Sequence, residues 1–242
     1  MRVEIWSDIA CPFCYIGKRR YEEALSRLDF GGEVETVYRS FELDPYAERD
    51  VGYDVYDMLA AKYGMTRERA VAMNENVAKL GESAGIDFAF DKVILTNTFD
   101  AHRLTQLANK HGKMRQMIER LFRAYFTEGR HVGDHETLIE LAAEAGLDRG
   151  EAEEALKSGA HADAVRSDEA EAARLGIRGV PFFVINRKYG ISGAQSVELF
   201  VETLRNAKAE EEAKLVIAQG GDAPACGPGG CAPEASGGDR AD

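Results

Sequence analysis

Ten residues into the chain, Cys11-Pro12-Phe13-Cys14 follows a short strand-like run, Arg2-Val3-Glu4-Ile5-Trp6, and precedes a helical stretch that begins about where the motif ends. Two thiols one turn apart at a helix entrance constrain the fold around them. The first lies where free main-chain N–H groups and the positive end of the helix dipole favour an anion, and the second is carried into the first turn. Cys11 is therefore expected to be the readily ionised, attacking thiol, and Cys14 the one that closes on it. Pro12 has the fixed φ suited to a first helical position, and Phe13 offers apolar surface without a side-chain hydrogen bond to the sulfur. Two other readings compete. A zinc site needs further ligands, and no second Cys-x-x-Cys or tight Cys/His cluster lies nearby. A static bridge closing so short a loop would restrain little of the unfolded chain.

The pattern along the chain places the motif in a βαβ unit over residues 1–45. Cys14, Tyr21, Leu25 and Leu28 share a helical face, Gly31-Gly32 ends that helix, and Val34 to Leu43 reads as a strand closed by Asp44-Pro45. The thiols then sit at the C-terminal end of the first strand, the edge where open α/β sheets carry their chemistry. Residues 46–166 read as helices throughout. Leu104, Leu107, Ala108 and His111 follow helical spacing, as do Met114, Met117, Ile118 and Leu121, continuing through Phe122 and Tyr125; Asp148 with Glu151 resembles a capping box. Over residues 167–210 the strand signature returns as Val180 to Asn186, then a turn from Arg187 to Gly190, a return strand at Ile191-Ser192-Gly193, and a final helix with Val197, Phe200, Val201 and Leu204 on one face. The expected fold is α/β: a thioredoxin fold, with a central mixed sheet and flanking helices, expanded by a large inserted all-helical subdomain.

Size and charge narrow the function. A chain of 242 residues can bury a good core, and a net charge of −12 argues against a phosphate backbone as partner. No apolar run approaches the roughly 18 residues that cross a bilayer, and Met1-Arg2-Val3-Glu4 lacks the apolar core of a signal peptide, so a cytoplasmic protein without membrane contact is expected. From Gly220 the composition turns to Gly, Pro, Ala and Ser, and residues 211–242 read as a C-terminal extension with little apolar area to offset its ordering entropy. Within it, Cys226-Gly227-Pro228-Gly229-Gly230-Cys231 holds the other two of the four cysteines. Four intervening residues let the sulfurs meet, and a bridge with so little packing around it should form and open readily. The pair is either an auxiliary redox couple, an incidental pair of surface thiols or an opportunistic metal clip.

Cys11-Pro12-Phe13-Cys14 after the first strand, the helical insert, and Gly179-Val180-Pro181 opening the third core strand together resemble the DsbA family of thioredoxin-fold oxidoreductases. Asn97-Thr98-Phe99-Asp100-Ala101-His102 is similar to its cytoplasmic FrnE-like branch, and the resemblance covers about residues 2–206. It implies a cis Val180-Pro181 peptide facing the two cysteines, with the backbone of Val180 free to pair with an extended substrate strand and Phe13 beside it. On the family motif His102 lines the active-site cleft; as a histidine on an amphipathic helix it reads as packing or surface. The chain departs from the family pattern at Phe13, where periplasmic members often place His, which argues against a strongly oxidising couple. Asp8, three residues before Cys11, either relays a proton or caps the turn, the second being the plainer reading.

The expected function is a cytosolic thiol:disulfide oxidoreductase working through Cys11 and Cys14, with Pro12, Asp8 and His102 in support. Cys226 and Cys231 are candidate auxiliaries. Its partners are disulfide-containing client proteins and a thiol reductant, and the chemistry requires neither organic cofactor nor metal. Two alternatives stand beside it: a glutathione-dependent isomerase or transferase related to the kappa-class and hydroxychromene-carboxylate isomerases, and a redox-sensing, peptide-binding chaperone. The first would leave Cys14 without a task.

Overall fold

A computed structural model describes residues 1–212 together with 226–227 and 230–231. Val3, Ile5 and Trp6 of the first strand, β1 (Arg2–Ser7), are buried, and so are Glu4 and Ser7, so both faces of the strand must be covered. They are. β1 pairs in parallel with β2 (Glu35–Ser40) and antiparallel with β3 (Phe182–Ile185), and β3 turns into β4 (Tyr189–Ser192), giving a mixed sheet of order β2-β1-β3-β4. Helix α1 (Pro12–Ser26) makes the crossover from β1 to β2 and packs against the last core helix, α9 (Val197–Glu212). On that face Phe183 meets Tyr21 and Phe200, with ring centroids 5.6 and 4.7 Å away.

The other face is closed by α8 (Ala162–Arg174), which lies along β2. Trp6, Ala172, Ile177 and Val184 form a separate apolar cluster there, and the Trp6 indole N–H donates to the carbonyl of Asp168 at 2.9 Å. Burying the largest side chain of the strand leaves its one polar atom satisfied. Because α8 begins at Ala162, the end of the helical stretch read from composition, 166, falls inside this helix. Composition cannot mark where an inserted helix gives way to a core helix when both are amphipathic.

Between β2 and α8 come α2 (Val55–Tyr63), α3 (Arg67–Glu82), α4 (Phe99–Lys110), α5 (Met114–Arg123), α6 (His135–Glu144) and α7 (Arg149–Ser158). Several start on caps visible in the sequence: Asp54, Asp134 and Asp148 each accept main-chain N–H groups of the first turn. The helical spacing that continues past Leu121 is realised with a change of pitch, since α5 runs into a π-helical turn, Ala124–Glu128. The strand expected over residues 34–43 is shorter, because Gly31–Glu33 forms a 3-10 turn and pairing with β1 ends at Ser40.

The insert docks on the redox helix through mixed contacts. Tyr15 of α1 stacks on Phe122 of α5 (4.9 Å between centroids), and its hydroxyl donates to Glu119 at 2.8 Å. Lys18, buried in α1, donates to Glu22 at 2.9 Å and to Glu119 at 2.5 Å. Among the described residues no helix is long and apolar enough to cross a membrane. In the extension, β5 (Cys226–Gly227) and β6 (Gly230–Cys231) pair antiparallel with Cys226 opposite Cys231. The side chains of this candidate auxiliary couple, and the rest of 213–242, lie outside the described residues. Phe122 is 1 % exposed and central to the α1–insert contact, so Phe122→Ala is expected to cost about 3–5 kcal/mol, read from the shift in denaturant midpoint.

Candidate active site

β1 ends at Ser7, and the chain turns through Asp8 and Ala10 to reach Cys11, the N-cap of α1, in an extended conformation (φ −99°, ψ 110°). The Cys11 N–H donates to the Asp8 carbonyl at 3.2 Å and the Cys14 N–H to the Cys11 carbonyl at 3.0 Å, so the turn is held at both ends. Pro12 occupies the first helical position, where a missing N–H costs nothing. The Cys11 side chain does not cap the helix; its thiol donates to the carbonyl of Val180 at 3.6 Å. The Val180-Pro181 peptide is cis. Val180 stays outside the β3 ladder, which starts at Phe182.

Helix and proline loop approach closely because residue 17 is glycine. A Cβ there would stand 3.0 Å from Pro181 Cγ and 3.4 Å from Phe183 Cζ. Around the thiols the surface is graded: Phe13 is 42 % exposed, Val180 half-buried, Cys11 4 % and Cys14 2 % exposed. Both cysteines are free thiols. Cys11 is more covered than a helix-entrance position suggests, with the Val180 carbonyl lying against its sulfur.

The two thiols differ electrostatically. Burial pushes Cys14 well above the ordinary thiol value, and the hydrogen bond and charge of Cys11 push the same way. The Ser7 side chain and the main-chain N–H of Asp8 pull the other way, without prevailing. Cys14 is therefore held protonated in the resting dithiol and must shed its proton in a later step.

Beneath the turn lies a polar cluster that neither reading of Asp8 anticipated in full. Asp8 is 2 % exposed and accepts from the Thr98 hydroxyl at 2.8 Å, the Ala10 N–H at 3.3 Å and the Leu43 N–H at 2.8 Å, with His102 Nε2 3.4 Å from its Oδ1. Burial pushes this carboxyl up, and the His102 bond, the charge of the ring when protonated, the Leu43 N–H and Thr98 outweigh it, holding Asp8 below its usual value. Asp8 thus does more than cap a turn. His102 does not line the open cleft that the family motif implied; it is 3 % exposed, under the turn and against Asp8. Ser7 and Thr98 belong to the same region; Ser7 was missed in the sequence, and Thr98 was named only inside the Asn97–His102 motif. Among the described residues no group of three or more metal-ligating side chains could hold a metal ion.

Sign and window follow for stability. A carboxyl whose folded value is depressed stabilises the fold above its unfolded value, near 3.8, and loses that contribution as pH falls through the folded value. Asp8→Asn should therefore melt lower than the parent at neutral pH, and the gap in melting temperature should close only as the pH drops below 3.8.

Comparison with known proteins agrees with this geometry. The sequence profile of the DSBA-like thioredoxin domain matches residues 2–205. The fold superposes with a TM-score of 0.83 on a probable DsbA oxidoreductase, SCO1869, from Streptomyces coelicolor, 45 % identical and covering 97 % of this chain and 100 % of that one. A Bacillus subtilis (strain 168) protein, YwbO, uncharacterized, is 27 % identical over 84 % of this chain and 96 % of its own length. At the level of fold alone, the cytosolic disulfide reductase DsbM from Pseudomonas aeruginosa aligns with a TM-score of 0.58 at 19 % identity, over 90 % of this chain and 100 % of that one.

Proposed function

The chain belongs to the DSBA-like thioredoxin domain family, and on that premise we propose that it exchanges disulfides with protein clients through Cys11 and Cys14. One observation carries the reading: a dithiol at a helix N-terminus, its outer sulfur against the carbonyl of a cis-proline loop and its inner sulfur buried. The Cys11 thiolate attacks one sulfur of a client disulfide, the S–S bond breaks, and the departing sulfur leaves as a thiolate. Cys14 then loses its proton and attacks Cys11, forming the intramolecular disulfide and releasing the second client sulfur. The client gains two electrons and the Cys11/Cys14 pair loses them; a thiol reductant restores the dithiol.

Val180, outside the ladder, offers main chain to an extended client segment, Pro181 holds the loop against α1, and Phe13 adds exposed apolar surface beside the sulfur. The absence of a basic partner to the helix in the Cys-x-x-Cys dipeptide and the reducing poise of a cytosol favour reductase or isomerase work. A protein of the same fold carries the name cytosolic disulfide reductase, in keeping with a cytoplasmic setting. The likeness of Asn97–His102 to the FrnE-like branch supports a reading within that branch, with Cys226 and Cys231 as the candidate auxiliary couple that passes electrons to or from the active pair. The net charge of −12 fits protein clients and not nucleic acid.

Cys14→Ser should accumulate mixed disulfides with cellular proteins at Cys11, seen as high-mass species on non-reducing gels that vanish with reductant; a variant that traps none would overturn the reading. Turnover of a glutathione conjugate by Cys11→Ser would favour an isomerase instead. In the reduced protein at neutral pH, iodoacetamide should label Cys11 well before Cys14, by mass spectrometry of the peptides, since burial holds Cys14 protonated.

A further inference from the structure

The step that this site makes hardest is the loss of the Cys14 proton. Cys14 is 2 % exposed, burial opposes its thiolate, and solvent base has no open approach to it. A route leads inward instead. Ser7, at the end of β1, favours the Cys14 thiolate and also lines a small cavity of about 10 Å³, whose walls include Tyr38, His102 and Thr105. A space of that size, with a hydroxyl, a phenol and an imidazole on its wall, suits one water.

His102 is set up to receive a proton there. Its Nε2 lies 3.4 Å from Asp8 Oδ1, and a carboxylate can only accept, so Nε2 carries the hydrogen and, in the neutral ring, Nδ1 has the lone pair. Thr98 donates to the same Asp8 oxygen at 2.8 Å, and the Leu43 N–H to the other, fixing the carboxylate against the ring. An imidazolium formed at this position would rest against that carboxylate. Charges from the other packed elements frame it. Arg39 on β2 is neutralised by Glu4 and Asp168; Glu42, just beyond β2, adds a carboxylate whose Oε2 is held by Arg166 of α8 at 2.6 Å; Tyr38 and Tyr125 are kept as neutral phenols by burial.

We propose that His102, oriented by Asp8 and Thr98, takes the proton of Cys14 through the Ser7 hydroxyl and a water in the cavity, so that the buried thiol becomes nucleophilic when the Cys11 mixed disulfide forms. This rests on the exchange reaction proposed above and assigns its second step. The Cys14 S–H bond breaks and the proton moves to the free ring nitrogen. The Cys14–Cys11 S–S bond forms while the bond from Cys11 to the client sulfur breaks. The electron pair leaves with the client sulfur, and that thiolate is protonated by solvent as the imidazolium returns its proton to the bulk. His102 reaches sulfur only through Ser7 and water, so it is a positioning residue for the proton.

Ellman's disulfide, 5,5′-dithiobis(2-nitrobenzoate), separates the two steps on the full-length reduced protein. The first thionitrobenzoate is released when Cys11 forms the mixed disulfide, and the second when Cys14 resolves it. His102→Gln should slow the second release about tenfold or more at neutral pH and make its rate climb with pH into the alkaline range, where hydroxide replaces the relay. Ser7→Ala should do the same, and the first release should change far less in both. If the second phase keeps the parent pH profile in Ser7→Ala and in folded His102→Gln, the relay is overturned; should His102→Gln not fold, the Ser7→Ala profile decides alone. Failure of the exchange reading looks different: Cys14→Ser would then trap no client, whatever the pH profile with the small disulfide.

Discussion

A single buried carboxylate ties the parts of this molecule together beneath its thiols. Asp8 leaves the end of β1 and accepts hydrogen bonds from its own turn at Ala10, from the segment after β2 at Leu43, and from α4 at Thr98, with His102 against it. Taking a carboxylate out of water costs several kcal/mol, and this one is stable only because its lone pairs are met from every side. The same bonds that satisfy it set the distance between the thioredoxin sheet and the helical insert. The turn carrying Cys11 is then no free loop, since its first residue is anchored on three elements.

Helix α1 turns that anchorage into asymmetry between two chemically identical side chains. Its N-cap places Cys11 against the Val180 carbonyl at the rim, and one turn later Cys14 is inside, beside Ser7. Burial, which raises the cost of the charged form, makes Cys14 wait until Cys11 has reacted. Gly17 lets the helix lie close enough to Pro181 for the sulfur and the carbonyl to meet. Below it, Tyr15 and Lys18 fasten the helix to α5 through Glu119, so the insert as well as the sheet holds the redox helix.

Local chemistry made much of this legible in the chain itself. A Cys-Pro-Phe-Cys run after an alternating strand determines a helix entrance with two thiols on it, because proline fixes φ and strand and helix periods differ. The apolar spacing of α4 and α5, the Asp148 cap and the hairpin near Arg187 are likewise short-range and read directly. What spacing could not carry was pairing across long separations. Asp8 and Thr98 are 90 residues apart, and Trp6 and Asp168 are 162 apart. No periodicity links such positions, so Asp8 read as a turn cap and His102 as a cleft residue until the fold brought them together. The boundary near 166 was blurred for a related reason: α8 has the same amphipathic pattern as the inserted helices, and only its packing on β2 makes it part of the sheet domain. The chain by itself determined that two sulfurs would share one turn. Tertiary structure alone decided how deeply each would be buried, and which groups would surround it, because burial belongs to the packed chain and not to the segment.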